Sequence, residues 1–253
     1  MTATASAAAP LAPTSLPVRR DGVAASALTW LGLVAYLVLA KLLLDAFLPD
    51  AFADPSQRAA FAWPVVAGVA AAGLAGVWLM HRTGFPAALD ARVSNRRRLL
   101  TPVLLGLGLG GLQIGIDLAT GYTRLLTAAH GVAQQHTGVL PMLLIFTAAP
   151  VLVETVYRFL LIPAALWLVS GVLLRGRGQA PLFWGLAVLT SLWEPLEQTG
   201  RISGAGTVLF GVLVAQGFAL NLAEATVWRR AGLLAPLALR TSFYVLWHVL
   251  YVH

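Results

Sequence analysis

The chain contains no cysteine, a single lysine and few charged residues of any kind: 11% of its 253 positions are Asp, Glu, Lys or Arg. Without cysteine it has no disulfide framework, no thiolate metal ligand and no cysteine nucleophile. So little charge excludes an ordinary soluble domain, in which about a quarter of residues are charged. A 58% hydrophobic content likewise excludes disorder for all but the ends, because disordered chains lack the apolar surface that offsets ordering entropy. Gly-x-Ser-x-Gly, His-Glu-x-x-His and Walker-type loops are also missing, which removes three common hydrolytic and nucleotide-binding signatures.

What is present is a succession of apolar runs, at about 25–47, 60–80, 99–118, 139–174, 181–196, 207–228 and 233–252. A bilayer core needs roughly 20 apolar residues per helix, so the chain is expected to be an all-α, polytopic transmembrane helix bundle of about seven spans. Eight are possible, because the run 139–174 contains Pro150 and Pro163 and reads as one kinked helix or as a span plus an interfacial piece. Residues 1–22 are rich in Ala, Pro, Ser and Thr and carry Arg19 and Arg20 last, the reverse of a signal peptide. They are expected to form a disordered cytoplasmic tail, with 23–253 a single transmembrane helical domain.

The net charge of +7 would suggest nucleic acid on a soluble protein, but these arginines sit at the ends of apolar runs, so the expected partner is the lipid bilayer and no nucleic acid. Arginine-rich and arginine-poor loops alternate. The positive-inside rule then puts a multi-pass protein in the cell membrane with its N-terminus in the cytoplasm and, after seven spans, its C-terminus outside. In the third run Gly111 and Gly115 are four apart, after Gly106 and Gly108, a spacing that lets two helix backbones approach closely.

Ionisable side chains at membrane depth cost ~2.5–3.5 kcal/mol each on insertion scales, so each needs a partner or a purpose. Lys41 and Asp45 are spaced to pair or to snorkel. Glu154 and Arg158 lie one helical turn apart deep in the fourth run and are expected to pair. Glu194 and Glu197 end the fifth run, either in the bundle or as ordinary end-of-helix acids facing water. Arg240, Tyr244 and His248 form a stripe on the seventh, and Arg240 is expected to meet Glu197, Glu194 or Glu224 across the core. Gln216 and Asn221 share a span with Glu224. Together these residues suggest a buried polar cluster where spans four to seven meet. His130 and His136 lack the further ligands a metal site needs, and no metal or cofactor is expected.

The stretch from Ala149 to Arg158, with Pro150, Glu154, Tyr157 and Arg158, resembles the first motif of the CPBP intramembrane proteases, the family of type II CAAX prenyl endopeptidases and bacteriocin-processing proteins. That motif is Glu-Glu-x-x-x-Arg; here Val153 stands in the place of the first glutamate. The second motif, Phe-x-x-x-His, aligns with Trp193 and Glu197. The third, His-x-x-x-Asn, follows Arg229, Arg230 and Gly232 and aligns with Arg240 and Tyr244. The resemblance covers about residues 140–250. It implies catalysis by a glutamate and a histidine that activate water, with a later His and Asn holding the oxyanion. Those positions carry Val153, Glu197, Arg240 and Tyr244, and valine is no general base while arginine cannot act as one. The resemblance therefore implies a degenerate, non-proteolytic site in which a buried Glu/Arg network replaces the chemistry. The alternatives are a divergent endopeptidase using Glu154, Glu194 or Glu197, with Arg240 as oxyanion stabiliser, or an unrelated membrane binding or transport protein. A membrane peptide or prenylated protein, as substrate or partner, is what the resemblance implies.

Overall fold

The computed structural model describes residues 20–48, 51–52, 55–125, 138–200 and 206–251. Most of the N-terminal tail, His130, His136 and the terminal His253 lie outside the described residues. Among the described residues the structure is all-helical, with no strand.

Helix α1 is Arg20–Phe47, α2 the short Pro55–Ala60, α3 Trp63–Arg82, α4 Arg96–Thr120 and α5 Val139–Leu173. They are followed by α6, Gln179–Gly200, and α7, Thr207–Ala231. The last, α8, is Leu234–Tyr244 continued in wider π-type turns through Val245–Tyr251. Five of these, α1, α3, α4, α5 and α7, are long and apolar enough to cross a membrane. Their apolar side chains remain largely outward-facing, with Leu28, Leu104 and Leu118 among the exposed, as expected for helices whose solvent is hydrocarbon. The apolar helices fit an integral, multi-pass membrane protein in a lipid bilayer.

Within the run 139–174, Val139–Leu173 is one continuous helical stretch of 35 residues, not a span plus a separate piece. Proline removes one ladder hydrogen bond and crowds the preceding turn. The run contains Pro150 and Pro163 and widens to π geometry over Thr155–Leu160 and Leu166–Leu173. Pro163 has no N–H to offer the Phe159 carbonyl four residues back. Gly76 of α3 packs on that same carbonyl oxygen, and a Cβ there would lie only 2.3 Å from it. A second interlock joins α1 to α3: the Trp30 indole fills the place of a side chain at Gly73, 1.9 Å from where its Cβ would be, and its N–H donates to the Ala70 carbonyl at 3.0 Å.

The close glycine contacts of α4 are not those of the 111/115 pair. Gly106 lies against the Leu239 carbonyl and the Ser242 hydroxyl of α8, and Gly110 against Leu246, whereas Gly108, Gly111 and Gly115 have nothing within 4 Å. Both registers have four-residue spacing; the one used is the one that α8 covers.

The turns that follow α3, α5 and α7 gather at one end of the bundle. Gln179, opening α6, donates through Nε2 to the Thr83 carbonyl. The Ser26 hydroxyl of α1 receives the Ala88 N–H at 3.0 Å, and the Arg229 guanidinium lies 5.0 Å from the ring centres of both Phe85 and Phe183. This end therefore collects Arg82, Arg92, Arg96, Arg97, Arg98, Arg175, Arg177, Arg229 and Arg230, with Asp90 among them. Arg92 grips Asp90 through Nε at 3.0 Å and Nη2 at 2.6 Å, and its own backbone N–H adds a third bond at 2.9 Å. These bonds hold the Asp90 carboxyl down at a pKa of about 2. Asp117 and Tyr251, linked by a Tyr251 hydroxyl to Oδ2 bond of 2.8 Å, lie at the other end, where α4 and α8 finish.

Candidate functional site

Four helices bring a charged cluster into the bundle. On α5, Glu154 and Arg158 share the inward face, 0% and 1% exposed, and pair at 2.9 Å through Arg158 Nη1 and Glu154 Oε1. On α7, Leu213, Gln216, Leu220, Asn221, Glu224 and Trp228 are buried at helical spacing. Gly217 lets this face close on α6: its Cβ would meet Pro195 at 2.6 Å. That approach sets Glu194, the residue before Pro195, beside Asn221 and Glu224. The Gly106 contact on the opposite side of α8 seats that helix so that Arg240, 1% exposed, enters the same space.

Arg240 is the centre of the network. Its Nη1 and Nη2 grip Glu194 at 2.7 and 3.1 Å, and its Nε and Nη2 grip Glu224 at 2.9 and 2.7 Å. Nη2 also reaches Asn221 Oδ1 at 2.6 Å, and Nη1 the Tyr244 hydroxyl at 3.1 Å. Glu154 Oε1 lies 2.8 Å from Nε, but the single Nε hydrogen is directed at Glu224. Arg158 completes the set by donating through Nη2 to the Asn221 carbonyl at 3.0 Å and to Asn221 Oδ1 at 2.7 Å, and by lying 2.9 Å from Glu224 Oε2. Two guanidiniums thus hold three carboxylates, all deep in the bundle. Bidentate, charge-assisted geometry of this kind is what allows buried ions to persist at tolerable cost.

Of the residues singled out from the sequence, the cluster unites Glu154, Arg158, Glu194, Glu224, Arg240 and Tyr244. Glu197 is not where a pairing with Arg240 would need it. It lies on the exposed side of α6, one turn beyond Glu194, and the Arg240 donors are already engaged. His248 stands one turn past Tyr244 and stacks flat on Phe146, ring centres 3.9 Å apart, an aromatic contact and not a member of the ion network. Val153 is half-buried beside Glu154. Lys41 and Asp45 pair with each other, and the Lys41 ammonium lies 5.4 Å from the Trp63 ring centre. Among the described residues no group of three or more His, Cys, Asp and Glu side chains is placed to hold a metal ion.

Asn221 has a larger part in the network than its sequence position alone suggests. Its side-chain oxygen joins both arginines, and its amide nitrogen faces the Ser191 carbonyl at 3.5 Å. The available signal was its place three residues before Glu224 on the buried stripe of α7. Chemically the cluster can fix four helices together and hold charge in a low-dielectric interior. The donors of Arg240 point at acceptors of the cluster and not outward, whereas Arg158 Nε is buried without a partner. No family model matches the chain, and no curated protein or solved structure matches it.

Proposed function

We propose that the chain is a multi-pass cell-membrane protein of seven spans, resembling the CPBP intramembrane proteases but with their catalytic centre replaced by a buried Glu/Arg network, so that it does not cleave peptides. The observation that carries this is the state of Arg240. It occupies the position that the resemblance gives to an oxyanion-holding histidine, and each of its N–H groups is engaged by Glu194, Glu224, Asn221 or Tyr244. An oxyanion hole needs donors aimed at where the substrate oxygen will be, and these are consumed internally. A glutamate-dependent endopeptidase draws support from one atom, Glu154 Oε2, which is buried and unpartnered. With Glu154 0% exposed, however, a substrate carbonyl has no approach to it.

Seven spans are supported by the way successive helices run between the arginine-rich end and the opposite one, with α6 and α8 as the two beyond those that length and composition alone select. The positive-inside rule assigns the arginine-rich end, and with it the start of α1, to the cytoplasm, and the end of α8 to the outside. The remaining role is binding, and a membrane peptide or prenylated protein is the partner class that the resemblance implies.

The test is to incubate the purified full-length protein in nanodiscs with a prenylated CAAX peptide and with a leader-peptide substrate. No cleavage is expected. Cleavage that disappears on Glu154→Gln would overturn the reading and identify a divergent protease.

A further inference from the structure

We infer that the ion network is a proton-binding site and that Glu154 is the residue that holds the proton. The first observation is a charge count. Glu154, Glu194 and Glu224 supply three carboxylates and Arg158 and Arg240 two guanidiniums, so full ionisation leaves one uncompensated negative charge inside an apolar bundle. An isolated buried ion is far more expensive than a neutral carboxylic acid, and one bound proton per chain restores neutrality.

The second observation is independent of the count and locates the proton. The three carboxyl groups are unequally satisfied. Glu224 faces Nε and Nη2 of Arg240 and Nη2 of Arg158. Glu194 receives two bonds from Arg240 and a third from Gln198 Nε2 at 3.2 Å. Glu154 receives one, from Arg158 to Oε1; Arg240 Nε lies 2.8 Å from that same oxygen but directs its single hydrogen at Glu224, and Glu154 Oε2 is fully buried with no partner. Hydrogen bonds from cations stabilise the charged form of an acid. The carboxyl with fewest of them, and with one oxygen receiving none, is the one on which a proton costs least.

The groups that face Glu154 from the packed helices are few. They are Arg158 on its own helix, Glu194 from α6, Glu224 from α7 and Arg240 from α8, with Gln198, Asn221 and Tyr244 bonded to these in turn. His248 is stacked on Phe146, and neither Asn221 nor Gln198 titrates. The inference rests on this geometry and not on the resemblance to a protease family, so it stands or falls separately from the cleavage assay.

Infrared spectroscopy of the full-length protein in nanodiscs tests it. A protonated carboxylic acid has a carbonyl stretch separate from that of carboxylates and amides and sensitive to deuteration. Such a band is expected at neutral pH, and it should vanish in Glu154→Gln and persist in Glu197→Gln. Glu194→Gln, which balances the charge from another position, should also abolish it by releasing the proton from Glu154, and serves if Glu154→Gln does not fold. A wild-type spectrum without the band, a band that survives Glu154→Gln, or one that survives Glu194→Gln would each overturn the assignment.

Discussion

Arg158 and Arg240, two cations from different helices, converge on the same acceptor atoms: Asn221 Oδ1 at 2.7 and 2.6 Å, and Glu224 Oε2 at 2.9 and 2.7 Å. Like charges this close are tolerable only because shared oxygens lie between them, so α7 bridges α5 and α8, which also meet directly where Glu154 Oε1 lies 2.8 Å from Arg240 Nε and His248 stacks on Phe146.

Arg158→Ala removes the hydrogen-bond donor to Glu154 and one of the two cations that offset the buried carboxylates. Breaking one side of a buried pair costs about 3–5 kcal/mol, so thermal unfolding in nanodiscs should occur at a markedly lower temperature. Arg158→Lys should recover only part of the loss, because an ammonium cannot reproduce the two-pronged reach to Glu154 and Asn221. An unchanged melting temperature in Arg158→Ala would show that the network does not clamp the bundle.

Glu194 and Glu197 should behave differently although they are one turn apart. Glu194→Ala removes two of the charge-assisted bonds that hold Arg240, leaving it to Glu224, Asn221 and Tyr244, and should destabilise by several kcal/mol, on the order of the loss for a one-sided deletion in a buried ion network. Glu197→Ala, on the exposed side of the helix, is expected to fall within about 0.5 kcal/mol of wild type. Equal melting temperatures for the two variants would contradict the placement of Glu194 in the core.

The glycines give a contrast within one helix. Gly106→Ala would put a methyl group 2.2 Å from the Leu239 carbonyl, whereas Gly111→Ala meets nothing within 4 Å. Overpacking against backbone costs about 1–3 kcal/mol, while alanine on an open helix face gains a little from its higher propensity. Comparative thermal unfolding should therefore separate the two variants, with Gly106→Ala the less stable and Gly111→Ala equal to or above wild type.

Asp90 offers a pH prediction with a definite sign. Its carboxyl is held at about 2 in the folded protein by Arg92, below the ordinary aspartate range. The stabilisation is thus complete at neutral pH and is lost only as pH falls through that range toward 2. Protease nicking of the 83–95 turn should be unaffected from neutrality down to mildly acidic pH and should rise only below it. Asp90→Asn should show the raised susceptibility already at neutral pH.

Topology can be read directly with reporters. A reporter inserted at Gly176 in the arginine-rich turn is expected to register in the cytoplasm and one fused after the last residue to register outside. A cytoplasmic signal from the second would rule out an odd number of spans.

Much of this was legible in the sequence because hydrocarbon imposes simple requirements. Apolar runs of sufficient length become helices, and buried charges must find partners, so Glu154 with Arg158, and Arg240 with acidic residues, followed from chemistry. Direction was harder to read. Glu194 belongs with Phe183, Ala187, Thr190 and Ser191 on the buried stripe of α6, a pattern present in the sequence; what Arg240 would meet depended on how closely Gly217 let α7 approach Pro195. The choice of Gly106 and Gly110 over Gly111 and Gly115 was equally hidden, since it depends on where the neighbouring helix lies and not on spacing. The single amide that joins both arginines is a property of four helices at once.

The widened turns after Glu154 also set the phase of everything that follows in α5. A π-type turn holds one residue more than an α turn, and one residue is worth about 100° of rotation. Excising a single residue from Thr155–Leu160 would leave the hydropathy of the run intact yet turn Ile162, Pro163 and Leu166 away from the core they now fill. The chain length between the two prolines is therefore as much a determinant of this bundle as the identity of the residues that occupy it.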